Sequence, residues 1–375
     1  MEIKNFFLLT LTTLSPGVSR AHPGMLEALA GCSQASEKRD TVELLADLKT
    51  LPDSALSPAG LTIKNILLAN RAAASPQDLN TVYKPPGPLG SSECRGDTCC
   101  VWKYIADAMA AAFQESDDSD DSDDDSKDEG DDEDNGSSQK QCNELARQAV
   151  RLGFHDAGTW SKSLGGGGAD GSVVLSASEL ARSDNRGLEI AAAHMAGWYT
   201  EYHSYGVSMA DLIQVGAAVA TVSCPLGPRS RVFVGRNDSN TPAPSGRLPS
   251  VDADAKSLVE LFADKTIGVS ELVALVGAHT TSVQRFVDPL RLGSPQDSTP
   301  GTWDVLFYNQ MISANPPADV FQFPSDLALS RYSATREPWQ TFANGQAVWN
   351  DAYAAAYPLA PERTLSDPHE SLHSS

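Results

Sequence analysis

The sequence predicts an all-α fold, and three patterns indicate it. Between residues 94 and 358 apolar residues recur at helical spacing in six segments, few stretches alternate with period two, and the long connections are rich in Gly and Pro. The segments are CVWKYIADAMAAAF, CNELARQAVRLGFHDAG, GLEIAAAHMAGWYTEYH, SMADLIQVGAAVATVS, VSELVALVGAHT and PWQTFANGQAVWNDAYAAAY. Ser208 and Ser270 stand in the position of a helix N-cap at two of them. The chain shows no internal repeat.

The N-terminus indicates a secreted protein. Lys4 precedes the apolar run FFLLTLTTLS, and small residues stand at Ser19 and Ala21, which is typical of a signal peptide over residues 1–21. The alternative is an ordinary buried N-terminal helix. The run is too short to span a bilayer and no later stretch of the sequence is long enough, so we expect a soluble protein with no membrane partner. Six cysteines are compatible with three disulfides in fifteen connectivities.

The rest of the chain divides into one domain with additions at both ends. Residues 22–90 are expected to form an N-terminal extension or propeptide, with one helix near DTVELLADLKTL and a dibasic pair, Lys38-Arg39, that offers a processing site. Residues 91–360 carry the helical pattern of the main domain. Residues 361–375 are expected to form a flexible C-terminal tail.

One segment inside the domain is strongly acidic. Residues 115–139 carry fourteen acidic residues and one lysine, which is most of the formal net charge of −21. Such a run repels itself and buries no apolar surface, so it is predicted to be a disordered, solvated loop. The alternative is a role in binding cations or a basic partner. The acidic balance argues against nucleic acid as a partner.

The segment AVRLGFHDAGTW, residues 149–160, places a permanent cation beside a titratable ring. In a helix Arg151 and His155 share one face at positions i and i+4, and Asp156 lies about 100° further round. Asp156, Asp170 and Ser172 are hard oxygen donors. With carbonyls of the stretch GGGGADGSVVL they would complete a calcium shell; a plain glycine loop is the alternative. A phosphate-binding loop is excluded because no Lys-Ser/Thr pair follows the glycines.

Two further features have two interpretations each. The stretch QDSTPGTWD spaces Asp297, Thr299 and Asp304 as in a calcium loop, with a carbonyl at Thr302, but it also fits an ordinary turn. His279 ends the apolar helix LVALVGAHTTS and is either a satisfied core residue or a haem ligand. A ligand needs a carboxylate to orient it, which Asp326 in FPSDLAL could provide.

In their order along the chain, these motifs resemble those of the secreted fungal class II haem peroxidases of the plant-type peroxidase superfamily, especially the ascomycete branch. RLGFHDAG resembles the distal helix, GGADGS the distal calcium loop and ELARSDNRGLE the distal hydrogen-bonding segment. VGAHTT resembles the end of the proximal helix, DSTPGTWD the proximal calcium loop, and Ser325-Asp326 the proximal aspartate. The resemblance runs from about Cys94 to Tyr357. It implies the plant-type haem peroxidase fold, about ten helices in two subdomains that enclose the haem, with long loops and two calcium sites.

The resemblance also implies a reaction and its distal residues. H₂O₂ would be reduced while small phenolic or aromatic donors are oxidised by one-electron steps at the haem edge. His155 would be the acid–base catalyst, and Arg151 would stabilise the negative charge that develops as the O–O bond breaks. Asn185, held by Glu179, would accept the Nδ1 proton of His155, and Phe154 would pack over the haem.

On the proximal side, the resemblance implies that His279 ligates the iron of haem b and that Asp326 increases its basicity. It implies two Ca²⁺ ions. The distal ligands would be Asp156, Gly168, Asp170 and Ser172, and the proximal ligands Thr280, Asp297, Thr299, Thr302 and Asp304. It implies a Cys142–Cys224 disulfide. Cys94, Cys99 and Cys100 match an N-terminal group of disulfide-forming cysteines in the family, but the C-terminal cysteine that pairs with this group is missing here, and Cys32 would take its place.

The chain also departs from this family. Gln296 stands where an aromatic residue often lies under the haem. The family's manganese site would use three carboxylates, but the matching positions are Glu144, Gln148 and Arg285, so manganese oxidation is not expected.

We therefore expect a secreted, monomeric haem peroxidase that oxidises phenols related to lignin or responds to oxidative stress, with Asn237 in the glycosylation sequon NDS. The rival interpretation is a non-catalytic, secreted, acidic calcium-binding protein. It would explain the acidic run and both oxygen clusters, but not Arg151, His155 and His279 together. An intracellular ascorbate or cytochrome peroxidase is disfavoured by the signal sequence and by Phe154, where those enzymes carry Trp.

Overall fold

A computed structural model describes residues 52–56, 61, 64, 83–114, 141–164, 166–357 and 369–373. All of these residues belong to one unit of the chain, Glu43–Ser375. The expected signal peptide 1–21, the helix near DTVELLADLKTL, the Lys38-Arg39 pair, Cys32 and the acidic segment 115–139 lie outside the described residues, as does most of the expected extension 22–90.

The described residues form thirteen α-helices and one pair of short strands, which confirms the predicted all-α class. In chain order, α1 to α13 are Ser92–Arg95, Thr98–Ala112, Glu144–Ala157, Ser172–Leu175, Ala177–Leu180, Glu189–Tyr202, Met209–Ser223, Ala255–Asp264, Val269–Val276, Leu306–Ile312, Pro324–Arg331, Arg336–Ala343 and Gln346–Ala356. Short 3₁₀ turns connect them at Ser183–Asn185, His203–Tyr205, Gly277–Thr281 and Pro289–Arg291, and another lies at Asp53–Ala55.

One of the two predicted helix caps is confirmed and the other is wrong. The Ser208 side chain accepts a hydrogen bond from the Asp211 amide at 3.1 Å and caps α7. Helix α9 begins two residues earlier than expected, at Val269, and its N-cap is Gly268. Ser270 therefore lies within the first turn of α9. Glycine is itself accepted at an N-cap, so the presence of a serine two residues later does not locate the start of this helix.

Helix α7 is the centre of the fold, and α3 packs directly on it. All but one of its fifteen residues are buried. A Cβ atom on Gly153 of α3 would lie 2.6 Å from the Cβ of Ala217 on α7, so only glycine permits this close approach. Gln214 of α7 donates to the Gly153 carbonyl at 3.0 Å. The apolar face of α3 is thereby covered, and its opposite face carries Arg151 and His155.

A membrane-spanning helix is not found in the described part of the chain. No single helix there is long and apolar enough to cross a bilayer. The helical stretches Glu189–Tyr205 and Met209–Ser223 meet the criterion only together, across a bend of 120°.

Disulfides join the ends of neighbouring helices. The predicted Cys142–Cys224 bond is confirmed, and it ties the residues just before α3 to the residue that ends α7. A second disulfide joins Cys94 of α1 to Cys100 of α2. The first bond closes a long loop, which restricts the unfolded chain and stabilises the α3–α7 pair.

The residues that flank the acidic segment, at the end of α2 and the start of α3, are hydrogen-bonded to each other. The Asn143 amide donates to the Phe113 carbonyl at 3.2 Å, and its side-chain Nδ2 donates to the Ala112 carbonyl at 2.7 Å. Asn143 also caps α3, because its Oδ1 accepts from the Ala146 amide at 3.0 Å. The end of α2 and the start of α3 are thus in direct contact on either side of the segment.

The C-terminal residues contribute a strand that the sequence did not indicate. β1, Arg231–Val234, pairs antiparallel with β2, His369–His373, with Arg231 opposite His373 and Val234 opposite His369. The segment 361–375 was expected to be a flexible tail. The reason for the difference is that β1, with the sequence RVFV, has high β-propensity and presents an edge whose backbone groups take a partner strand.

The proximal half of the fold packs around large aromatic residues. Trp303, Trp339 and Trp349 are fully buried, and the rings of Trp303 and Trp349 stack with centroids 5.1 Å apart. A Cβ atom on Gly277 would lie 2.6 Å from the Trp349 ring. Glycine at 277 therefore lets the turn that carries His279 lie directly on this aromatic core.

A buried lysine joins α8 to the segment that precedes the glycine-rich loop. Lys265, at the end of α8, is fully buried and donates from Nζ to the Trp160 carbonyl at 2.9 Å. Burial and the nearby charge of Arg247 lower the pKa of Lys265 to about 8, against the opposing effect of Asp264. Asp264 accepts from the Ser163 amide at 3.0 Å and strengthens the same connection.

The pKa of Lys265 predicts a specific dependence of stability on pH. Between about pH 8 and 10.5 the unfolded chain holds the lysine proton while the folded protein does not, so the free energy of unfolding rises with pH in this window. We expect Lys265→Met to remove up to about 3 kcal/mol of that rise. Urea unfolding at several pH values measures it, with the exposed Lys162→Met as control. Equal pH dependence in wild type and Lys265→Met would contradict the prediction.

Candidate active site

The polar face of α3 fixes His155 in one tautomer. Nδ1 of His155 lies 2.8 Å from Oδ1 of Asn185, and the Asn185 amide nitrogen donates to the Glu179 carbonyl at 2.8 Å. The amide is thereby oriented with its oxygen toward the ring, so Nδ1 carries the proton. Nε2 of His155 accepts a hydrogen bond from Nε of Arg151 at 3.1 Å. Nε2 is therefore the basic nitrogen of the ring, and in this structure its one lone pair is engaged by Arg151.

The charges of this pair are set by burial. Burial, aided by the charge of Arg151, lowers the pKa of His155 to about 3, and the hydrogen bond to Asn185 opposes this effect. Burial lowers the pKa of Arg151 only to about 10, so the guanidinium is charged at neutral pH. The site thus presents a neutral imidazole beside a fixed cation.

Backbone carbonyls hold the guanidinium in place. Arg151 donates from Nη1 to the Arg186 carbonyl at 2.8 Å and from Nη2 to the Asp184 carbonyl at 2.9 Å. Sequence reasoning missed both contacts, because a carbonyl partner is independent of the side chain at that position. Phe154, the residue between the pair, is partly buried and stacks on Phe262 of α8 with centroids 6.0 Å apart.

Glu179 contacts Asn185 through its backbone and not through its side chain. It was expected to hold Asn185, and it does so through its main-chain carbonyl rather than its carboxylate. The buried carboxylate accepts the Ala243 amide at 2.6 Å through Oε2, and Oε1 has no hydrogen-bond partner among the described residues. The side chain thus braces the loop around Ala243.

The second histidine is paired with a buried carboxylate. His279 lies in the 3₁₀ turn after α9, and its Nδ1 is 2.9 Å from Oδ2 of Asp326 in the first turn of α11. The ring is flanked edge-on by Phe307 and Phe323 at 5.7 and 5.8 Å. Its side chain is 37% exposed whereas that of Asp326 is 1% exposed. With Nδ1 held by the carboxylate, Nε2 is free to act as a metal ligand.

The predicted distal oxygen cluster is assembled in the structure. Asp156 projects from α3 away from His155, and both of its oxygens accept from the Gly171 amide at 3.1 and 3.2 Å. Asp170 accepts from the Ser172 amide at 3.1 Å, and its own amide donates to the Gly168 carbonyl at 2.8 Å. All three polar side chains of Asp156, Asp170 and Ser172 are buried.

These distal residues fit a bound cation. Burial and the neighbouring charge of Asp170 raise the pKa of Asp156 well above its usual range. The hydroxyl of Ser172 is buried and lacks a hydrogen-bond partner in the described part of the chain. Two close carboxylates and an unused hydroxyl are the hard oxygen donors that Ca²⁺ prefers, and a cation would remove the repulsion between the acids.

The proximal oxygen cluster is assembled in the same way. The Thr280 hydroxyl donates to Asp297 and lies 3.4 Å from the Thr302 carbonyl. The Thr299 hydroxyl lies 2.9 Å from Oδ2 of Asp304 and 3.3 Å from Oδ1 of Asp297. Burial raises the pKa of Asp297 to about 7 and that of Asp304 above its usual value. The five predicted residues thus converge on one point and also fit a calcium ion.

Both clusters depend on hydroxyls and carbonyls as well as on acids. Among the described residues, no group of three or more His, Cys, Asp or Glu side chains could hold a metal ion by itself. A calcium ion at either place would therefore need the oxygens of Ser172 or of the three threonines to complete its shell.

Comparison with known proteins decides the family. The peroxidase family model matches residues 133–345, more than half of the chain. The chain belongs to the peroxidase family. The plant-type peroxidase fold predicted from the motifs is therefore confirmed, and the protein is a haem-dependent peroxidase rather than a non-catalytic calcium-binding protein.

The relatives of this peroxidase include fungal enzymes. It is 29% identical over 301 residues to a peroxidase of Coprinopsis cinerea, covering 72% of this chain and 75% of that one. It is 34% identical over 215 residues to a low-redox potential peroxidase of Taiwanofungus camphoratus, covering 52% and 63%. It is 33% identical over 240 residues to manganese peroxidase 3 of Phlebia radiata, covering 58% and 66%. These matches confirm the resemblance to fungal class II peroxidases.

At the positions that the resemblance assigns to a manganese site, this peroxidase has an ion pair. Arg285 binds Oε2 of Glu144 at 2.7 Å, and Gln148 donates to Oε1 of Glu144 at 2.9 Å. Both carboxylate oxygens of Glu144 thus accept hydrogen bonds from other side chains, and the positive charge of Arg285 would repel a metal cation.

Gln296 and Asn237, two other positions singled out in the sequence, differ in their exposure to solvent. Gln296 is fully buried, and neither atom of its side-chain amide has a hydrogen-bond partner among the described residues. A polar side chain without a partner among the described residues therefore occupies a buried position where the resemblance implies an aromatic ring. Asn237 is exposed, which is compatible with a glycan at the sequon.

Proposed function

We propose that this peroxidase reduces H₂O₂ to water at a haem b held between His155 and His279, and that it takes electrons singly from small phenolic or aromatic donors. The observation that supports this best is the fixed tautomer of His155, with Nδ1 on Asn185 and Nε2 beside Arg151. A base held in this way beside a permanent cation suits the cleavage of a neutral peroxide.

The residues divide the work on the distal side. Bound haem supplies the iron at which the O–O bond is cleaved and the capacity to hold the oxidising equivalents. Nε2 of His155 takes the proton from one peroxide oxygen and returns it to the other, which leaves as water. Arg151, already positioned by two carbonyls, stabilises the negative charge on the leaving oxygen.

On the proximal side His279 would ligate the iron through Nε2. Asp326 accepts a hydrogen bond from Nδ1–H of His279 and so increases the electron donation of the ring to the iron. Distal Ca²⁺ would be held by Asp156, Gly168, Asp170 and Ser172, and proximal Ca²⁺ by Thr280, Asp297, Thr299, Thr302 and Asp304. Each ion would lie next to an element that carries a histidine.

The proposal extends to substrates and setting. The ion pair between Glu144 and Arg285 supports organic donors over Mn²⁺. The N-terminal sequence 1–21 and the disulfides support secretion, with Asn237 as the glycosylation site and a monomer as the working unit. Oxidation of lignin-related phenols or a response to oxidative stress would fit an extracellular enzyme of this kind.

Haem reconstitution tests the proposal. We expect the wild-type protein to acquire a Soret band that shifts on addition of H₂O₂. His279→Ala removes the proposed iron ligand, so the haem should be lost on gel filtration, while the exposed His194→Ala should retain it. Wild-type protein that stays colourless after haem supplementation, or His279→Ala that retains haem like the wild type, would contradict it.

A further inference from the structure

A surface phenyl ring and the guanidinium of Arg151 both lie close to Gly187. Gly187 has φ +82°, a backbone conformation that favours glycine. A Cβ atom at this position would lie 2.9 Å from the Phe286 ring and 3.6 Å from Nη1 of Arg151. The absence of a side chain at Gly187 thus leaves room for the Phe286 ring beside the segment whose carbonyls hold Arg151.

The phenyl ring is exposed and carries a cation on one face. Phe286 is 46% exposed, and the guanidinium carbon of the exposed Arg186 lies 4.7 Å from its ring centroid. In the described part of the chain, Arg186 takes part in no ion pair. The neighbouring Arg285 is engaged by Glu144, so Arg186 is the cation here that is available to a ligand.

The loop that carries Phe286 is held by a set of internal hydrogen bonds. The buried Gln284 side chain accepts the amides of Val287 and Asp288 at 3.2 Å each and donates to the Asp288 carbonyl at 2.9 Å. Its backbone also pairs with Ser294 at 2.9 Å. A loop backbone held in this way loses little conformational freedom when a ligand binds to its side chains.

We propose that Arg186 and Phe286 form a subsite for aromatic donors that carry a carboxylate. The ring of the donor packs against Phe286 and its carboxylate pairs with Arg186. The proposal rests on the proposed peroxidase reaction for its oxidant. Each donor loses one electron and its phenolic proton to become a phenoxyl radical, and two donors are consumed for each H₂O₂ reduced to two water molecules.

Donor specificity of the holoenzyme tests the subsite. The two donors are para-hydroxycinnamate, which carries a carboxylate, and the neutral para-ethylphenol. We expect Arg186→Gln to lower the ratio of their kcat/KM values about fivefold, the size of one exposed cation contact. Arg186→Lys should give a smaller loss, because it keeps the charge but not the planar stack on Phe286. Arg331→Gln, an exposed arginine on α11, is the matched control.

A binding measurement separates this proposal from the proposed reaction. Saturation-transfer NMR of para-methoxybenzoate, which lacks an oxidisable phenol, should show contact with wild type and a weaker signal with Arg186→Gln. An unchanged specificity ratio together with an unchanged NMR signal in Arg186→Gln would overturn the subsite alone. A protein that binds the benzoate at this site but does not react with H₂O₂ would overturn the proposed reaction and leave the subsite standing.

Discussion

His155→Ala should slow the reaction of the reconstituted enzyme with H₂O₂ by about 10²- to 10⁴-fold, the usual contribution of a positioned general acid–base group. The expectation follows from the geometry around the ring. Asn185 holds Nδ1 at 2.8 Å, so Nε2 alone can accept and return a proton. Alanine leaves Arg151 held by the carbonyls of Asp184 and Arg186, so the charge in the site persists while the base is lost.

Stopped-flow absorbance at low peroxide concentration measures this rate directly. Haem content should be unchanged, since His279 and Asp326 are untouched, and this distinguishes loss of the base from loss of the cofactor. Asn185→Ala should give an intermediate rate, because the ring persists but its tautomer is no longer fixed. Equal rates for wild type and His155→Ala would show that His155 is not the acid–base group.

Removal of calcium should lower both activity and thermal stability. Without a cation, Asp156 and Asp170 are two buried carboxylates that repel each other, and the buried Asp297 and the partly buried Asp304 form a second repelling pair. Binding at one hundred times Kd stabilises a protein by about 2.7 kcal/mol for each site. For a domain of this size, loss of two such sites corresponds to a fall in melting temperature of roughly 10 °C.

Calorimetry with and without a chelator measures this effect, and re-addition of Ca²⁺ should reverse it. Ser172→Ala removes a hydroxyl that has no hydrogen-bond partner among the described residues, so it should weaken the calcium effect with little change in the chelated protein. Ser163→Ala, outside both clusters, is the control. An exhaustively chelated protein with unchanged melting temperature and turnover would exclude a functional calcium ion at either cluster.

Much of the fold follows from local patterns in the sequence. The apolar stripe of α3 and the N-cap at Ser208 are properties of a few adjacent residues, and both predictions are confirmed. The failed prediction for the C-terminal tail depends on a distant partner, whereas the wrong N-cap at Ser270 is a local error of two residues. The pairing of His369–His373 with β1 needs an edge strand more than one hundred residues away, and no local pattern in HESLH indicates it.

In the candidate site, too, local motifs are predictable from the sequence and contacts with distant residues or with backbone carbonyls are not. The motifs around His155 and Asp297 bring their oxygen and nitrogen donors together over short stretches, so residue type and spacing identify them. The contacts that position Arg151 come from carbonyls, which every residue has and which leave no mark in the sequence. The ion pair of Arg285 with Glu144 joins two elements far apart in the chain, and only the folded structure reveals it.

The contact of Asn143 with the end of α2 has a consequence for how this chain can vary. Because the carbonyls of Ala112 and Phe113 meet Asn143, the fold is already closed at the base of the acidic segment. Doubling the number of residues between two such fixed ends adds only about 0.6 kcal/mol of closure entropy. Evolution can therefore lengthen, shorten or recharge this stretch almost freely, and an engineer could place an affinity tag or a second domain there without re-designing the helices on either side.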